Sequence, residues 1–224
     1  MRLFTKAEGL ATLVLLFYAV PQAHAIPILR LTADTGETVT VVDGGAGDLS
    51  GASGSVVFLG SLGSWSLNVT TGLSKPLIGS ADEPMLDLNS VNATSGGAGT
   101  LTIELTDTGF LTSDAMIGTH IGGGTGGTVS MRSFQDLGNQ AFGQSVSLAD
   151  LGLFSGLSFS GSAVSELTGG TPYSLTTVVT ISHSGPTSMA SSFNATIKVP
   201  EPTTLALLGI GLTCIGLSRR RKKV

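Results

Sequence analysis

Two Asp-Thr-Gly triplets are the residues of this chain whose type and spacing come closest to a catalytic pattern. They are Asp34–Gly36 and Asp107–Gly109, and each follows a run that alternates like a strand. Aspartic proteases use this triplet to bring together two carboxylates that share one proton. The triplet is also an ordinary way to leave a strand, with Asp fixing the turn and Gly adopting a positive φ. Because Glu37 and Phe110 follow where those proteases use a small residue, we expect turns and keep an aspartic-type hydrolase as a remote alternative.

A glycine-rich stretch and an acidic loop are the next candidates for binding. Gly122, Gly124 and Gly127 satisfy G-x-G-x-x-G, a dinucleotide fingerprint that needs a helix N-terminus directly after the glycines. The residues that follow, TVSMRSF, alternate like a strand, so we interpret the glycines as a flexible loop. Asp43 and Asp48 are weak candidates for a calcium site, because their spacing lacks the carboxylate density of a dedicated calcium loop. We expect a solvated turn there, and no cofactor.

Residues suited to nucleophilic catalysis or to a metal centre are sparse. No serine lies in a G-x-S-x-G motif, and only His120 and His183 follow residue 25. Two histidines do not complete a metal site, and a lone Cys214 forms no intramolecular disulfide. Three N-x-T sequons are attributed to chance, because Asn and Thr are frequent here; they begin at Asn68, Asn92 and Asn194.

The charge distribution argues against a polyanionic partner. The whole chain has 15 acidic and 11 basic residues, which gives a net charge of -4. Between residues 26 and 199, thirteen acids stand against four bases, a net charge of -9. Binding to phosphates needs clustered Lys and Arg. We therefore predict no nucleic-acid partner.

Short alternating runs between Gly, Ser, Asn and Asp clusters predict strands through the middle of the chain. In TLTIELTD, Leu101, Ile103 and Leu105 fall on one face, and Thr and Glu alternate with them. About ten such runs predict an all-β fold, an antiparallel β-sandwich over residues 26–198. A short helix is expected within Asp136–Gly152. The predicted strands are Ile28–Ala33, Glu37–Val42, Ser55–Leu59, Ser64–Thr70, Met85–Val91, Thr100–Thr106, Thr128–Phe134, Gly156–Val164, Tyr173–Ser182 and Ser192–Lys198.

The first 25 residues have the composition of a signal peptide. Arg2 and Lys6 precede an apolar run, Leu10–Val20, that as a helix is only ~16 Å long and too short to cross a ~30 Å hydrocarbon core. A small-x-small pattern after Pro21 is the substrate of signal peptidase. We therefore predict that the mature chain begins outside the cytoplasm; the cleavage residues are Ala23, Ala25 and Ile26.

Residues 199–224 form a three-part tail. Val199, Pro200, Glu201 and Pro202 should be extended, because the two prolines remove backbone donors and disfavour helix before them. Residues 203–218 are uncharged and mostly apolar, long enough for a thin transmembrane helix of ~24 Å. A terminal basic cluster would stay on the cytoplasmic side; it comprises Arg219, Arg220, Arg221, Lys222 and Lys223.

This tail resembles the PEP-CTERM sorting signal of Gram-negative bacteria. The resemblance rests on VPEP, then TTLALLGIGLTCIGL, then SRRRKK, in this order at the C-terminus. It implies that exosortase, a membrane transpeptidase-like enzyme, recognises the tail and removes it near Pro-Glu-Pro. Residues 26–199 also look like the exported domains of many PEP-CTERM proteins that have no assigned biochemistry. That second similarity implies a compact β domain and brings no catalytic residues.

The expected function is that of an exported, non-catalytic surface or matrix protein. Its partners would be signal peptidase, exosortase, the membrane and, by resemblance, exopolysaccharide or biofilm material. The exported domain would lie in the periplasm while the tail anchors it in the inner membrane, and would then reach the cell surface or extracellular matrix. The alternative is a carbohydrate-binding module, which normally displays several exposed aromatic rings. The region has one Trp and one Tyr, Trp65 and Tyr173, and we expect both in the core.

Overall fold

The computed structural model describes residues 26–185 and 187–200, and within these ranges it contains strands and no helix. Twelve strands follow one another along these residues. Their bounds are Ile28–Ala33 (β1), Thr38–Val42 (β2), Ser55–Leu62 (β3), Trp65–Leu73 (β4), Met85–Ser95 (β5), Gly99–Phe110 (β6), Met116–Thr125 (β7), Thr128–Asp136 (β8), Val146–Ser155 (β9), Phe159–Glu166 (β10), Tyr173–His183 (β11) and Met189–Lys198 (β12). The predicted signal peptide and transmembrane helix lie outside the described residues.

The strands form two six-stranded antiparallel sheets that pack face to face. Sheet A has the order β2-β1-β6-β11-β8-β9, and sheet B has the order β10-β7-β12-β5-β4-β3. One cluster of buried apolar side chains, drawn from both sheets, fills the space between them. The all-β, antiparallel sandwich predicted from the sequence is confirmed.

The alternation in β6 explains how this core forms. Leu101, Ile103 and Leu105 are completely buried between the sheets, and Thr100 and Thr102 on the opposite face remain partly exposed. Successive strand residues point to opposite faces, so one local pattern supplies both the core and the outer surface. The same period continues across the sheet in β11, where Val179 and Ile181 pair with Ile103 and Leu101.

The connection between β8 and β9, residues 137–145, folds over the outer face of sheet A. The Phe142 amide donates a hydrogen bond to Thr106 Oγ1 at 3.2 Å. The guanidinium of Arg30 lies 3.8 Å from the centroid of the Phe142 ring and 2.6 Å from the Glu104 carboxylate. This cover explains why Thr106 and Glu104 are buried although they belong to the outward face of β6.

The short helix predicted within Asp136–Gly152 is wrong. Asp136 ends β8, a loop follows, and Val146–Ser155 forms β9 at the edge of sheet A. The register between β8 and β9 shifts at two places along the pair. Each shift adds one residue to β9, which interrupts the strict alternation of its side chains. A search for residues that alternate with a period of two therefore does not detect this strand.

The interpretation of G-x-G-x-x-G as a flexible loop is also wrong. Gly122 and Gly124 lie in β7, between β10 and β12, and only Gly127 falls in the turn to β8. A Cβ on Gly123 would lie 2.6 Å from Phe193 Cβ and would also meet the Ser192 carbonyl. The glycines therefore allow neighbouring backbone to approach closely rather than giving the chain freedom to move.

The two chain exits lie at the same end of the sandwich, which distinguishes that end from the other. Ile28 lies opposite Thr106, and Lys198 lies opposite Met85, so the first and last strands have their outer ends on the same side. We call this side the proximal end. The opposite side, where Ser95 and His183 lie near the turns β5–β6 and β11–β12, is the distal end.

Candidate functional site

The last strand of the domain, which leads to the C-terminal tail, lies in the middle of sheet B. Strand β12 lies between β7 and β5 and ends at Lys198. The Val199 amide donates a hydrogen bond to the Pro84 carbonyl at 3.2 Å, and the Val199 side chain packs against the core. Pro200 is exposed. The folded domain therefore ends directly at the predicted Val-Pro-Glu-Pro segment, without an intervening linker.

The N-terminal exit lies at the same proximal end. Ile26 is 48% exposed and lies two residues before β1, whose first residue pairs with Thr106 in the proximal half of β6. Both segments that flank the domain therefore leave on one side of the sandwich. The predicted cleavage residues Ala23 and Ala25 lie outside the described residues, as do Glu201, Pro202 and the basic tail.

The two Asp-Thr-Gly triplets lie at opposite ends of the sandwich. Asp34 begins the β1–β2 turn at the distal end, where its amide donates to the Thr100 carbonyl and Gly36 has a φ of 86°. Asp107 lies near the proximal end of β6, roughly 23 Å from Thr100 along the strand at ~3.3 Å per residue. The two carboxylates therefore do not form the shared-proton pair of an aspartic protease.

Asp107 is not part of a turn, which corrects our expectation for the second triplet. It lies within β6, its side chain is completely buried, and it forms an ion pair with Lys75 whose Nζ–Oδ2 distance is 2.9 Å. Ser74 Oγ is 2.6 Å from the same oxygen, and the Thr108 amide donates to Oδ1 at 2.7 Å. Lys75 Nζ lies 3.8 Å from the centroid of the Phe110 ring.

Burial dominates the electrostatics of this proximal cluster. Desolvation lowers the pKa of Lys75, and the attraction and hydrogen bond of the Asp107 carboxylate oppose that shift. The Phe110 ring lies 5.9 Å from the ring of Tyr173, and burial raises the pKa of Tyr173. The cluster joins β6 of sheet A to Ser74 and Lys75 of the β4–β5 connection, whose neighbouring strands belong to sheet B. Neither the ion pair nor its burial is visible in the local sequence.

A second buried cluster surrounds His183 at the distal end. Its Nδ1 lies 2.7 Å from Ser95 Oγ, and its Nε2 lies 2.9 Å from Ser191 Oγ. The ring of Trp65 packs against it with centroids 4.7 Å apart. His183 is 3% exposed, and burial lowers the pKa of its imidazole.

The hydrogen-bond partners of the two serines define the tautomer of this imidazole. Ser95 Oγ donates to the Gly97 carbonyl at 2.8 Å, so it accepts from Nδ1–H of His183. Thr125 Oγ1 lies 2.6 Å from Ser191 Oγ, which is then free to donate to the unprotonated Nε2. We infer that the imidazole is neutral and carries its proton on Nδ1. The local sequence does not reveal this cluster, because its five members lie on five different strands.

Asp43 and Asp48, the weak calcium candidates, accept hydrogen bonds from backbone amides of the same loop and of β3. Asp48 accepts backbone hydrogen bonds from Gly44, Ser50 and Val57, each at 2.9 Å, and Asp43 accepts one from Gly54 at 2.6 Å. These donors occupy carboxylate oxygens that a cation would need. Within residues 26–185 and 187–200, no three His, Cys, Asp or Glu side chains come together in a way that suits a metal ion.

The aromatic residues singled out in the sequence belong to the core. Trp65 is 1% exposed and Tyr173 is completely buried, as predicted. Neither ring presents a face on which a sugar could stack. The outward face of sheet B instead carries exposed amide and hydroxyl groups, among them Asn68, Asn92 and Asn194 of the three sequons.

Comparison with known protein families decides what the tail is. Residues 198–222 match the PEP-CTERM protein-sorting motif. The chain carries a PEP-CTERM sorting signal. The match begins at the last residue of β12, so the sorting signal starts where the folded domain stops. No curated protein sequence matches the chain.

Three solved structures show distant similarity to the sandwich. The enzymatically active domain of tailspike protein 4 from bacteriophage CBA120 has a TM-score of 0.35 and 12% identity, covering 61% of this chain and 19% of its own. A chain of infectious bursal disease virus, Gx strain, has a TM-score of 0.35 and 16% identity, covering 85% and 54%. The mannan-recognising carbohydrate-binding module TmCBM27 has a TM-score of 0.25 and 10% identity, covering 63% and 97%.

The chain spans about a fifth of the tailspike chain and about half of the viral chain. These TM-scores are too low for any of the three structures to indicate a function for the chain. Residues 26–185 and 187–200 include no helix of the length and hydropathy needed to cross a membrane. The predicted anchor, residues 203–218, lies outside those ranges.

Proposed function

We propose that this chain is an exported, non-catalytic surface or extracellular-matrix protein whose C-terminal tail is processed by exosortase. Signal peptidase would remove residues 1–25. The tail would then hold the sandwich at the periplasmic face of the inner membrane until exosortase acts near Pro-Glu-Pro. The released domain would reach the cell surface or the matrix.

The observation that carries this proposal is the sorting motif at residues 198–222, joined directly to β12. Two further observations fit a domain that is held at a membrane surface by its flanking segments. Pro200 is exposed at the proximal end, and the N-terminal exit lies on the same side. One membrane surface would therefore accommodate both flanking segments without any rearrangement of the sandwich.

The surface of the domain supports an interaction role in hydrated polysaccharide. Sheet B presents neutral amides and hydroxyls on its outward face: Ser192 lies opposite Asn92, and Thr94 lies opposite Ser66. Such groups exchange hydrogen bonds with water and with sugar hydroxyls at little desolvation cost. Of the bases in the domain, Arg30 and Lys75 are paired with carboxylates, which leaves an acidic surface unsuited to nucleic acid.

The two alternatives have less support. The carbohydrate-binding module would need exposed aromatic platforms, and Trp65 and Tyr173 are buried. The aspartic-type hydrolase would need adjacent carboxylates, and Asp34 and Asp107 lie at opposite ends of the sandwich. We therefore assign no catalytic residue.

Intact-mass analysis of the mature protein from its native host tests the proposal. We expect loss of residues 1–25 and of the segment after roughly Pro202 in cells with an active exosortase. In cells that lack exosortase, the apolar tail should stay attached. A tail that persists in exosortase-competent cells would contradict the proposed processing.

A further inference from the structure

The buried ion pair of the proximal end holds an amine next to a carboxyl group, away from water. Lys75 Nζ lies 2.9 Å from Asp107 Oδ2, and the two side chains are 5% and 0% exposed. We propose that Lys75 and Asp107 condense to form an intramolecular isopeptide bond between the two sheets. The proposal does not depend on exosortase or on the sorting signal, because the two residues lie entirely within the sandwich.

The reaction needs the uncharged amine of Lys75 and the carboxylic acid form of Asp107, and a proton passed from Nζ to Oδ2 across 2.9 Å produces both at once. Taking an ammonium and a carboxylate out of water is costly, and this transfer needs no external acid or base. Desolvation lowers the pKa of Lys75 in the same direction. Ser74 Oγ lies 2.6 Å from Oδ2 and 3.2 Å from the Met85 carbonyl oxygen, so it can hydrogen-bond either group.

The reaction is a condensation in which atoms and charges balance. The neutral Nζ of Lys75 attacks Cγ of Asp107, and a C–N bond forms. The Thr108 amide, 2.7 Å from Oδ1, stabilises the negative charge that develops on that oxygen. Oδ2 then leaves as water with its own proton and one proton from Nζ. Fixed orientation in a dry site provides the high effective concentration that a reaction between free amine and acid lacks.

The site offers hydrogen-bond partners to the amide product. The amide retains one N–H, and the Thr108 carbonyl already accepts a hydrogen bond from Lys75 Nζ. Oδ1 becomes the amide carbonyl oxygen and keeps the hydrogen bond from the Thr108 amide. Hydrogen-bond partners for both polar groups of the new bond therefore already lie beside the reacting atoms.

A cross-link here would fasten the sandwich in the place of a disulfide. Lys75 follows β4 of sheet B, and Asp107 lies in β6 of sheet A. The chain has one cysteine, at position 214, so a disulfide within the exported domain is impossible. An amide between residues 75 and 107 would restrict the unfolded chain as a disulfide does, and reducing agents would not break it.

Peptide mapping of the denatured full-length protein tests the proposal. Trypsin does not cut before proline, so Lys75-Pro76 resists cleavage and one peptide, residues 31–132, contains both reacting residues. We expect its mass to be lower by one water molecule. Cyanogen bromide then cuts at Met85, between the two residues, and fragments 31–85 and 86–116 should remain joined. This second cleavage separates the cross-link from water loss by cyclisation at Asp43-Gly44.

Two variants complete the test. Asp107→Asn should give the same joined fragments, because an amide electrophile releases ammonia in place of water. Lys75→Arg should give separate fragments of full mass, because a guanidinium does not react. Separate fragments from the wild-type chain would overturn the proposal and leave an ordinary buried ion pair. Joined fragments from Lys75→Arg would overturn it equally, because the link would not involve Lys75.

Discussion

Nδ1 of His183 lies within hydrogen-bond distance of Ser95 Oγ, at 2.7 Å, and the two residues come from strands of different sheets. The imidazole is buried against Trp65, with its other nitrogen 2.9 Å from Ser191 Oγ. This arrangement accommodates the neutral ring. A second ring proton would face the donor hydroxyl of Ser191, and the network would have to reverse.

The His183 cluster predicts that the domain loses stability in mild acid. Burial lowers the pKa of His183 from its ordinary value of 6.5. Below pH 6.5 the unfolded chain therefore binds a proton at this residue more readily than the folded chain does. The stabilisation is complete above about pH 6.5 and decreases as the pH falls, by at most ~1.4 kcal/mol per pH unit. Urea unfolding of the full-length chain in detergent, followed by Trp65 fluorescence, measures the effect.

The matched control is His183→Asn, which removes the titrating group. Between pH 7.5 and 5.5, carboxylates contribute little because their ordinary pKa values are lower. The free energy of unfolding of this variant should therefore depend less on pH than that of the wild type. Equal pH dependence in the two proteins would show that His183 is not the group responsible.

Replacing Lys75 alone should be more damaging than replacing the whole pair. Lys75→Met leaves the Asp107 carboxylate buried without a cation, a defect that costs about 3–5 kcal/mol of the free energy of unfolding. The double variant Lys75→Met/Asp107→Leu removes both charges and should be more stable than Lys75→Met, and neither variant can form the proposed amide. Urea unfolding at pH 7 measures both variants. A double variant less stable than Lys75→Met would refute this explanation of the cluster.

The sorting signal predicts the effect of changing three residues. Substituting Pro200, Glu201 and Pro202 by alanine should leave the sandwich intact, because β12 ends at Lys198 and Pro200 is exposed. It should abolish removal of the tail and keep the protein in the membrane fraction. Fractionation and mass analysis in exosortase-competent cells measure this result. Normal release of the triple variant would show that residues 203–224 alone determine processing.

The close approach at Gly123 predicts a large difference between two glycine substitutions. In Gly123→Ala the new Cβ would lie 2.6 Å from Phe193 Cβ and would clash with the Ser192 carbonyl, so we expect a loss of about 1–3 kcal/mol. Gly97→Ala is the control, because nothing lies within 4 Å of its added Cβ. Thermal unfolding of the two variants measures the difference. A similar Tm for both variants would contradict the close packing of β7 against β12 at Gly123.

The sequence by itself determined the features that depend on neighbouring residues. Alternation in TLTIELTD predicted β6 and the face that it buries, because successive residues of a strand point to opposite sides. The order of Pro-Glu-Pro, an apolar stretch and a basic end predicted the sorting signal, which residues 198–222 match. Bulges in the β8–β9 pair and glycines in β7 disrupted the same local pattern, and the predictions were wrong there.

Only the tertiary structure decided which distant residues meet. Two identical Asp-Thr-Gly triplets have different environments: Asp34 lies in a turn, and Asp107 is buried against Lys75. His183 finds Ser95 and Ser191 because two sheets pack face to face, and no spacing in the sequence encodes that contact. The physical reason is that strand formation follows from period and turn chemistry, whereas burial and pairing of polar groups depend on how the finished sheets are stacked.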